Sequence, residues 1–121
     1  MKVLFIDDSY STRTNYSEYL REEGGHTVIV CSNRQEVEKA FTEHENFEVV
    51  ILDGDLGDSS YGENSDSGKI VLDILIPKKV YFGRFSNSLG AIPESLHGDF
   101  QIDKKSSNSP NELLAALERK E

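Results

Sequence analysis

Three aspartates at the ends of apolar segments are the residues of this sequence whose types and spacing best suit chemistry. Asp7 and Asp8 follow the run Lys2–Ile6 (KVLFI), and Asp53 follows the run Phe47–Leu52 (FEVVIL). Two carboxylates about 4 Å apart repel by roughly 4 kcal/mol at an effective dielectric constant of 20, so a fold that gathers them needs a cation or a proton. Hard carboxylate oxygens suit Mg²⁺. The pattern therefore predicts a magnesium site in which one carboxylate can attack a phosphoryl group.

The elements that must bring these aspartates together alternate between strand and helix along the chain. Hydrophobic runs predict five strands, at Lys2–Ile6, Thr27–Cys31, Phe47–Leu52, Lys79–Phe82 (with a possible extension to Phe85) and Phe100–Ile102. Helical spacing and capping residues predict helices over about Ser11–Glu23, from a Ser32 cap to about Glu45, over about Gly68–Ile76, and from a Ser109 cap onward.

This alternation predicts an α/β fold, a doubly wound five-stranded parallel sheet with helices on both faces. In such sheets, ligands bind outside the carboxyl ends of the strands. Strands one and three can lie side by side, which would bring Asp7, Asp8 and Asp53 to one edge. The chain is therefore expected to form a single domain over residues 1–121, with its chemistry at that edge.

Two segments between the predicted elements are irregular. The polar stretch Gly54–Ser67 is long for a loop in a compact domain, and such loops are commonly functional or mobile. One hypothesis is that it covers Asp53 and limits access to it; the alternative is a plain solvated loop. The stretch Asn87–His97 is expected to be irregular or a short helix broken at Pro93.

Composition limits the classes of partner. The formal net charge is −9 and the isoelectric point is near 4.8, which argues against nucleic acid and anionic membranes, because both require clusters of Lys and Arg. No apolar run approaches the roughly 20 residues of a membrane span. The single cysteine, Cys31, excludes an internal disulfide and fits a reducing compartment. We therefore expect a cytoplasmic protein.

Three segments of the sequence resemble the response-regulator receiver family, whose fold is flavodoxin-like. KVLFIDDS (Lys2–Ser9) resembles the first strand and acidic pair of that family. VVILDGDLG (Val49–Gly57) resembles its third strand, which places Asp53 at the phosphoacceptor position. DFQIDK (Asp99–Lys104) resembles its fifth strand, which in the family ends in a lysine.

The resemblance implies roles for individual residues. Mg²⁺ would be held by Asp8 and Asp53, by Asp7 through water, and by the backbone carbonyl of Asp55. Lys104 would bind the phosphoryl group on Asp53, with the adjacent Lys105 as an alternative in the alignment.

The hydroxyl that senses phosphorylation in the family would be that of Ser86, although Gly83 could occupy the position instead. The expected function is that of a single-domain response regulator without an output domain. It would receive a phosphoryl group from a histidine kinase or a histidine phosphotransfer protein and act on an unknown downstream protein.

Several departures leave alternatives open. The loop after Asp53 is longer than in the family, and the fourth helix is expected to be short or irregular. One alternative is therefore a pseudo-receiver that binds proteins without being phosphorylated. The sequence Asp53-Gly54-Asp55 also matches the DxD motif of haloacid-dehalogenase-type phosphatases. A weaker resemblance links LDGDLG and FSNSLGA to a divergent receiver-like group associated with cyclic-phosphate processing, in which Arg84 replaces a histidine. Arg84 itself is either a phosphate ligand or a surface arginine.

Overall fold

Five parallel strands form one sheet at the centre of the molecule. The computed structural model describes residues 1–58 and 60–120; Ser59, inside the predicted loop, and Glu121, the last residue of the predicted domain, lie outside the described residues. The strands are β1 (Lys2–Ile6), β2 (Thr27–Cys31), β3 (Val49–Asp53), β4 (Phe82–Ser86) and β5 (Phe100–Asp103). Their order is β2-β1-β3-β4-β5, and every neighbouring pair is parallel. The predicted doubly wound α/β fold is confirmed.

Helices cover both faces of this sheet. They are α1 (Tyr10–Gly24), α2 (Arg34–Glu43), α3 (Asp66–Ile70) and α4 (Ser109–Lys120), and α3 continues as a π-helix over Val71–Leu75. Between β4 and β5 the described chain forms two short 3₁₀ turns, Leu89–Ala91 and Glu94–Leu96, in place of an α-helix. The expectation of an irregular segment before β5 is therefore confirmed.

The apolar residues of the strands divide between two core layers. One layer joins the sheet to α1 and α4 through Leu20, Leu113 and Leu117, all of which are fully buried. The other joins it to α2, α3 and the 3₁₀ turns through side chains that include Val37 and Leu96. Since every residue of β3 is buried, the strand that carries Asp53 is fixed on both faces. Burial of this kind makes the strand ends a rigid platform for a site.

The cap of the second helix lies one residue later than predicted, at Asn33, and the helix begins at Arg34. Asn33, in extended conformation, caps the helix by accepting a hydrogen bond from the Glu36 backbone N–H at 2.9 Å. Ser32 instead donates from its backbone N–H and its hydroxyl to the Glu36 carboxylate. The prediction of Ser32 as the cap was therefore wrong. Ser32 binds the side chain of Glu36, and the backbone N–H of Glu36 is bound by Asn33 instead.

The fourth strand lies further along the chain than Lys79–Phe82. Lys79 has a φ of 56°, in the left-handed region, and its N–H donates to the carbonyl of Ile76. The N–H of Val80 donates to the carbonyl of Leu75, so both residues close the preceding helix. The ladder to β3 begins only at Phe82, opposite Val50. This shift places Ser86, rather than an earlier residue, at the carboxyl end of β4.

Candidate functional site

The three aspartates meet at the carboxyl edge of the sheet. Ile6 lies opposite Leu52 in the β1–β3 ladder, so Asp7 and Asp53, the next residues, emerge side by side. Carboxylate oxygens from Asp7, Asp8 and Asp53 lie within 4.8 Å of one another. Asp7 and Asp53 are buried, at 1% and 8% exposure, whereas Asp8 is exposed. The juxtaposition expected from the sequence is present, and two of its three charges are withdrawn from water.

A lysine ammonium lies between the two buried carboxylates. Lys104 follows β5 directly, and its Nζ donates to Asp7 Oδ2 and to Asp53 Oδ1, each at 2.7 Å. Its backbone N–H donates to the carbonyl of Ser86, which extends the β4–β5 ladder by one bond. Hydrogen bonds of this length between charged groups are the strong ones. Of the two neighbouring lysines considered from the sequence, Lys104 is the one that binds the acidic cluster.

Burial and neighbouring charges shift the pKa values of Asp53 and Lys104. Desolvation, followed by the negative charge of Asp7, raises the pKa of Asp53 to about 7, although Lys104 acts in the opposite direction. Burial alone lowers the pKa of Lys104, but the attraction of Asp53 and Asp7 outweighs it and holds that pKa above its usual value. Asp53 is therefore a carboxylate whose ionised form the fold disfavours without a further cation.

Ser86 and Gly54 form the wall of the site beside Asp53. Ser86 is 2% exposed, and its Oγ accepts a hydrogen bond from the Ser88 backbone N–H at 2.9 Å. A Cβ at Gly54 would lie 2.1 Å from this Oγ, so only glycine fits there. Gly83 packs against the Phe100 ring, three residues before the strand end. Ser86 is thus the residue that reaches the site, whereas its role in phosphate sensing remains a prediction.

A cleft opens above the cluster and gives access to it. Its volume is about 380 Å³. It is lined by Asp7, Asp8, Ser9, Thr12, Asp53, Asp55, Tyr61, Ser86, Asn87, Ser88 and Lys104. All of the residues predicted for the site therefore border one space. The metal-binding and phosphate-binding roles assigned to them remain predictions.

The start of the long loop wraps closely around the exposed aspartate. The Asp55 carboxylate accepts a hydrogen bond from the Gly57 N–H at 3.0 Å, which bends the chain back toward β1. Gly57 has a φ of 92°, a conformation that favours glycine, and a Cβ there would lie 3.4 Å from Asp8 Oδ2. This turn keeps Asp55 at the cleft, where its backbone carbonyl was predicted to be a metal ligand.

Tyr61 is a residue of the cleft that the sequence interpretation missed. It lies in the long loop, is half-buried, and packs against the core layer that includes α3. Its Cε1 would lie 3.3 Å from a Cβ built on Gly54, so the ring closes one side of the cleft. The single aromatic residue in the sequence of this loop was the available signal, because such a side chain gains by packing on the core.

Arg84 departs from both expectations placed on it. The side chain is 0% exposed, so the interpretation as a surface arginine was wrong. Its guanidinium donates to the carbonyls of Gly54 and Leu96 and to the Ser67 hydroxyl. Arg84 does not line the cleft as the described residues form it, and its guanidinium instead binds the main chain behind the site.

Comparisons with solved structures agree with this architecture. A response regulator receiver domain protein from Clostridium thermocellum is similar over 98% of this chain and 92% of its own, with 24% identity and a TM-score of 0.75. A CheY-like receiver domain from Methylobacillus flagellatus is similar over 100% and 98%, with 18% identity and a TM-score of 0.77. This chain has the fold of a response regulator receiver domain.

A third structure with the receiver fold adds a ligand. The response regulator TrrA from Thermotoga maritima, solved in complex with Mg²⁺ and BeF, covers 99% of this chain and 98% of its own, with 21% identity and a TM-score of 0.73. No model of a protein family matches this sequence, and none of the curated proteins matches it. Among the described residues, no helix is long and apolar enough to cross a membrane.

Proposed function

We propose that this receiver-fold chain accepts a phosphoryl group on Asp53 with the help of Mg²⁺ and serves as a response-regulator receiver in a two-component phosphorelay. The observation that carries the proposal is the Lys104 ammonium, held at 2.7 Å from both Asp7 and Asp53 at the base of an open cleft. A buried acidic pair with a single cation still carries surplus negative charge once Asp8 is counted. Such a cluster is suited to a divalent cation.

The donor set fits Mg²⁺. The cluster offers hard carboxylate oxygens within 4.8 Å of one another, and one of its members, Asp8, faces solvent. Mg²⁺ usually retains several waters and takes one or two carboxylates, which an open, partly hydrated cluster allows. Asp8 and Asp53 would hold the ion, with Asp7 acting through water and Asp55 through its carbonyl. When bound, the ion supplies positive charge beside the transferring phosphoryl oxygens.

Two hydrogen bonds to Asp53 support Oδ2 as the reacting oxygen of the proposed acceptor. Both hydrogen bonds described for its carboxylate, from Lys104 Nζ and from the Gly54 N–H, go to Oδ1. Oδ2 then attacks the phosphorus of the donor, an O–P bond forms, and the bond from phosphorus to the donor nitrogen breaks. The imidazole of the donor histidine, which carries a proton on its other ring nitrogen, keeps the electron pair and leaves as the neutral ring. Lys104 remains as the cation that pairs with the new phosphoryl oxygens.

The partners follow from this chemistry. A phosphohistidine on a histidine kinase or a histidine phosphotransfer protein is the proposed donor, and an unidentified protein is the proposed recipient of the signal. The net charge of −9 supports protein partners over nucleic acid or an anionic membrane. The lone Cys31 supports a location in the cytoplasm.

The test is incubation with acetyl phosphate and Mg²⁺, followed by intact-mass and peptide mass spectrometry. We expect an acid-stable, base-labile adduct on Asp53 that EDTA prevents and Asp53→Asn abolishes. Asp73→Asn, which changes an exposed aspartate on the π-helical segment, is the control and should leave the adduct unchanged. No adduct on the wild type would favour a pseudo-receiver, and rapid multiple turnover would favour a phosphatase or phosphoesterase.

A further inference from the structure

The fully buried arginine of β4 has no carboxylate partner in the part of the chain that the structure describes. Arg84 is 0% exposed and lies opposite Leu52 in the β3–β4 ladder, and the ion pairs found among the described residues do not include it. Burying a charge is costly, and burial accordingly lowers the pKa of Arg84 to about 10, although the charge of Asp53 acts in the opposite direction. Its presence calls for a reason other than stability.

The guanidinium connects three segments that meet behind the site. Nη2 donates to the Gly54 carbonyl at 3.0 Å and to the Ser67 hydroxyl at 3.1 Å, while Nη1 donates to the Leu96 carbonyl at 3.2 Å. Ser67 in turn donates to the same Gly54 carbonyl at 2.9 Å. Gly54 is the residue after the acceptor, Ser67 lies in the first turn of α3, and Leu96 ends the second 3₁₀ turn. The Arg84 side chain therefore joins the start of the loop after Asp53, here called the acceptor loop, to the start of α3 and to the second 3₁₀ turn.

Gly54 is held on each of its sides by this arrangement. Its N–H donates to Asp53 Oδ1 at 2.7 Å, its carbonyl accepts from Arg84 and Ser67, and its Cα packs against Ser86. A shift of the carbonyl would move the N–H that orients the acceptor carboxylate. The same network ties the two ends of the long loop together, and Tyr61 lies between those ends.

We propose that Arg84 is a positioning residue of the phosphoacceptor site. It holds the Gly54 backbone and the start of α3, so that the Asp53 carboxylate and the Tyr61 ring keep their places at the cleft. This inference rests on the proposed function, because the consequence of the positioning is the reactivity of Asp53. Arg84 acts through Gly54 and does not itself touch the transferred group.

The test compares Arg84→Met, which removes charge and donors at similar volume, with Arg84→Lys, which keeps the charge and one short donor. Arg119→Met, on the exposed end of α4, is the control. Arg84→Met leaves the Leu96 carbonyl and the Ser67 hydroxyl without this donor, so the urea midpoint is measured first and all rates are given per folded molecule. Phosphorylation of Arg84→Met by acetyl phosphate should slow roughly tenfold to a hundredfold, the effect of small misplacements of reacting groups. Arg84→Lys should recover part of the lost rate. The control Arg119→Met should react at the wild-type rate.

Amide hydrogen exchange, measured by NMR without donor or metal, gives a second readout. In Arg84→Met, exchange at Gly54 and over residues 60–67 should be faster than in the wild type, while β1 stays protected. A rate per folded molecule equal to that of the wild type, or unchanged exchange, would overturn the inference.

A further variant covers the case in which Arg84→Met does not fold. Ser67→Ala and Arg84→Lys then decide, and wild-type rates in both would overturn the inference. If the wild type itself forms no adduct, the proposed function fails, and the exchange data alone decide whether Arg84 positions this loop.

Discussion

Asp53→Asn is expected to stabilise the metal-free protein, because the fold disfavours the ionised carboxylate. Burial, and then the charge of Asp7, raise the pKa of Asp53 from 3.8 to about 7. Between these two values the folded chain binds more protons at this position than the unfolded chain does. The stability of the wild type therefore falls as the pH rises through this window. Asparagine resembles the protonated carboxyl group and does not ionise, so the variant keeps the stability that the wild type loses as the pH rises.

The magnitude follows from the size of the shift. Each pKa unit corresponds to about 1.36 kcal/mol, so Asp53→Asn should raise the free energy of unfolding by about 4 kcal/mol at pH 7.5. At pH 5, where most of the folded wild type carries a protonated Asp53, the gain should shrink to roughly 2 kcal/mol. The difference between the two pH values is the quantity that identifies titration of this carboxyl group as the cause.

Urea denaturation in EDTA at several pH values between 5 and 8 measures both numbers. Asp73→Asn serves as the control, since that side chain is exposed and forms a surface ion pair with Arg34. A gain that does not change between pH 5 and pH 7.5 would refute the reasoning, and so would a variant no more stable than the wild type at pH 7.5. Addition of Mg²⁺ should narrow the difference by stabilising the wild type.

Three further substitutions test the surroundings of Asp53. Lys104→Met should lower the free energy of unfolding by about 3–5 kcal/mol, since it leaves a buried acidic pair without its cation, whereas Lys105→Met should have little effect in the same urea titration. Tyr61→Ala should speed hydrolysis of the Asp53 adduct, measured by the decay of its mass peak, while Tyr61→Phe should decay as the wild type does; equal decay of both would contradict a shielding ring. Gly54→Ala should cost roughly 1–3 kcal/mol through overlap with Ser86 Oγ, and Ser86→Gly in the same chain should restore part of the loss.

The sequence specified the location of the site more firmly than its internal contacts. Apolar runs followed by Asp7 and Asp53 predicted the carboxyl ends of β1 and β3 to within one residue, because the carboxyl edge of a parallel sheet collects such residues regardless of loop details. The start of β4 was predicted three residues early, since the turn at Lys79 uses a left-handed conformation that the sequence does not mark. Boundaries of this kind depend on hydrogen bonds that close the preceding helix, and the hydrophobic periodicity of the sequence does not predict those bonds.

The roles of Arg84 and Tyr61 show what lay beyond sequence reasoning. Ordinary rules place an arginine at the surface, yet Arg84 is buried because three acceptor groups from distant segments converge on it. The backbone N–H of Asp66 donates to the Asp58 carboxylate at 3.0 Å, which brings the two sides of the loop together. Tyr61 lies between these two residues and so borders the cleft. Both outcomes depend on contacts between residues far apart in the chain.

The sequence by itself determined the alternation of strands and helices and the three aspartates at one edge, because local periodicity and strand-end position suffice for both. Only the tertiary structure decided that Lys104 joins Asp7 to Asp53, that Asp53 has a pKa of about 7, and that Arg84 holds the acceptor loop. Charge interactions and desolvation depend on distances between segments and on the depth of burial, and those quantities exist only once the chain has folded.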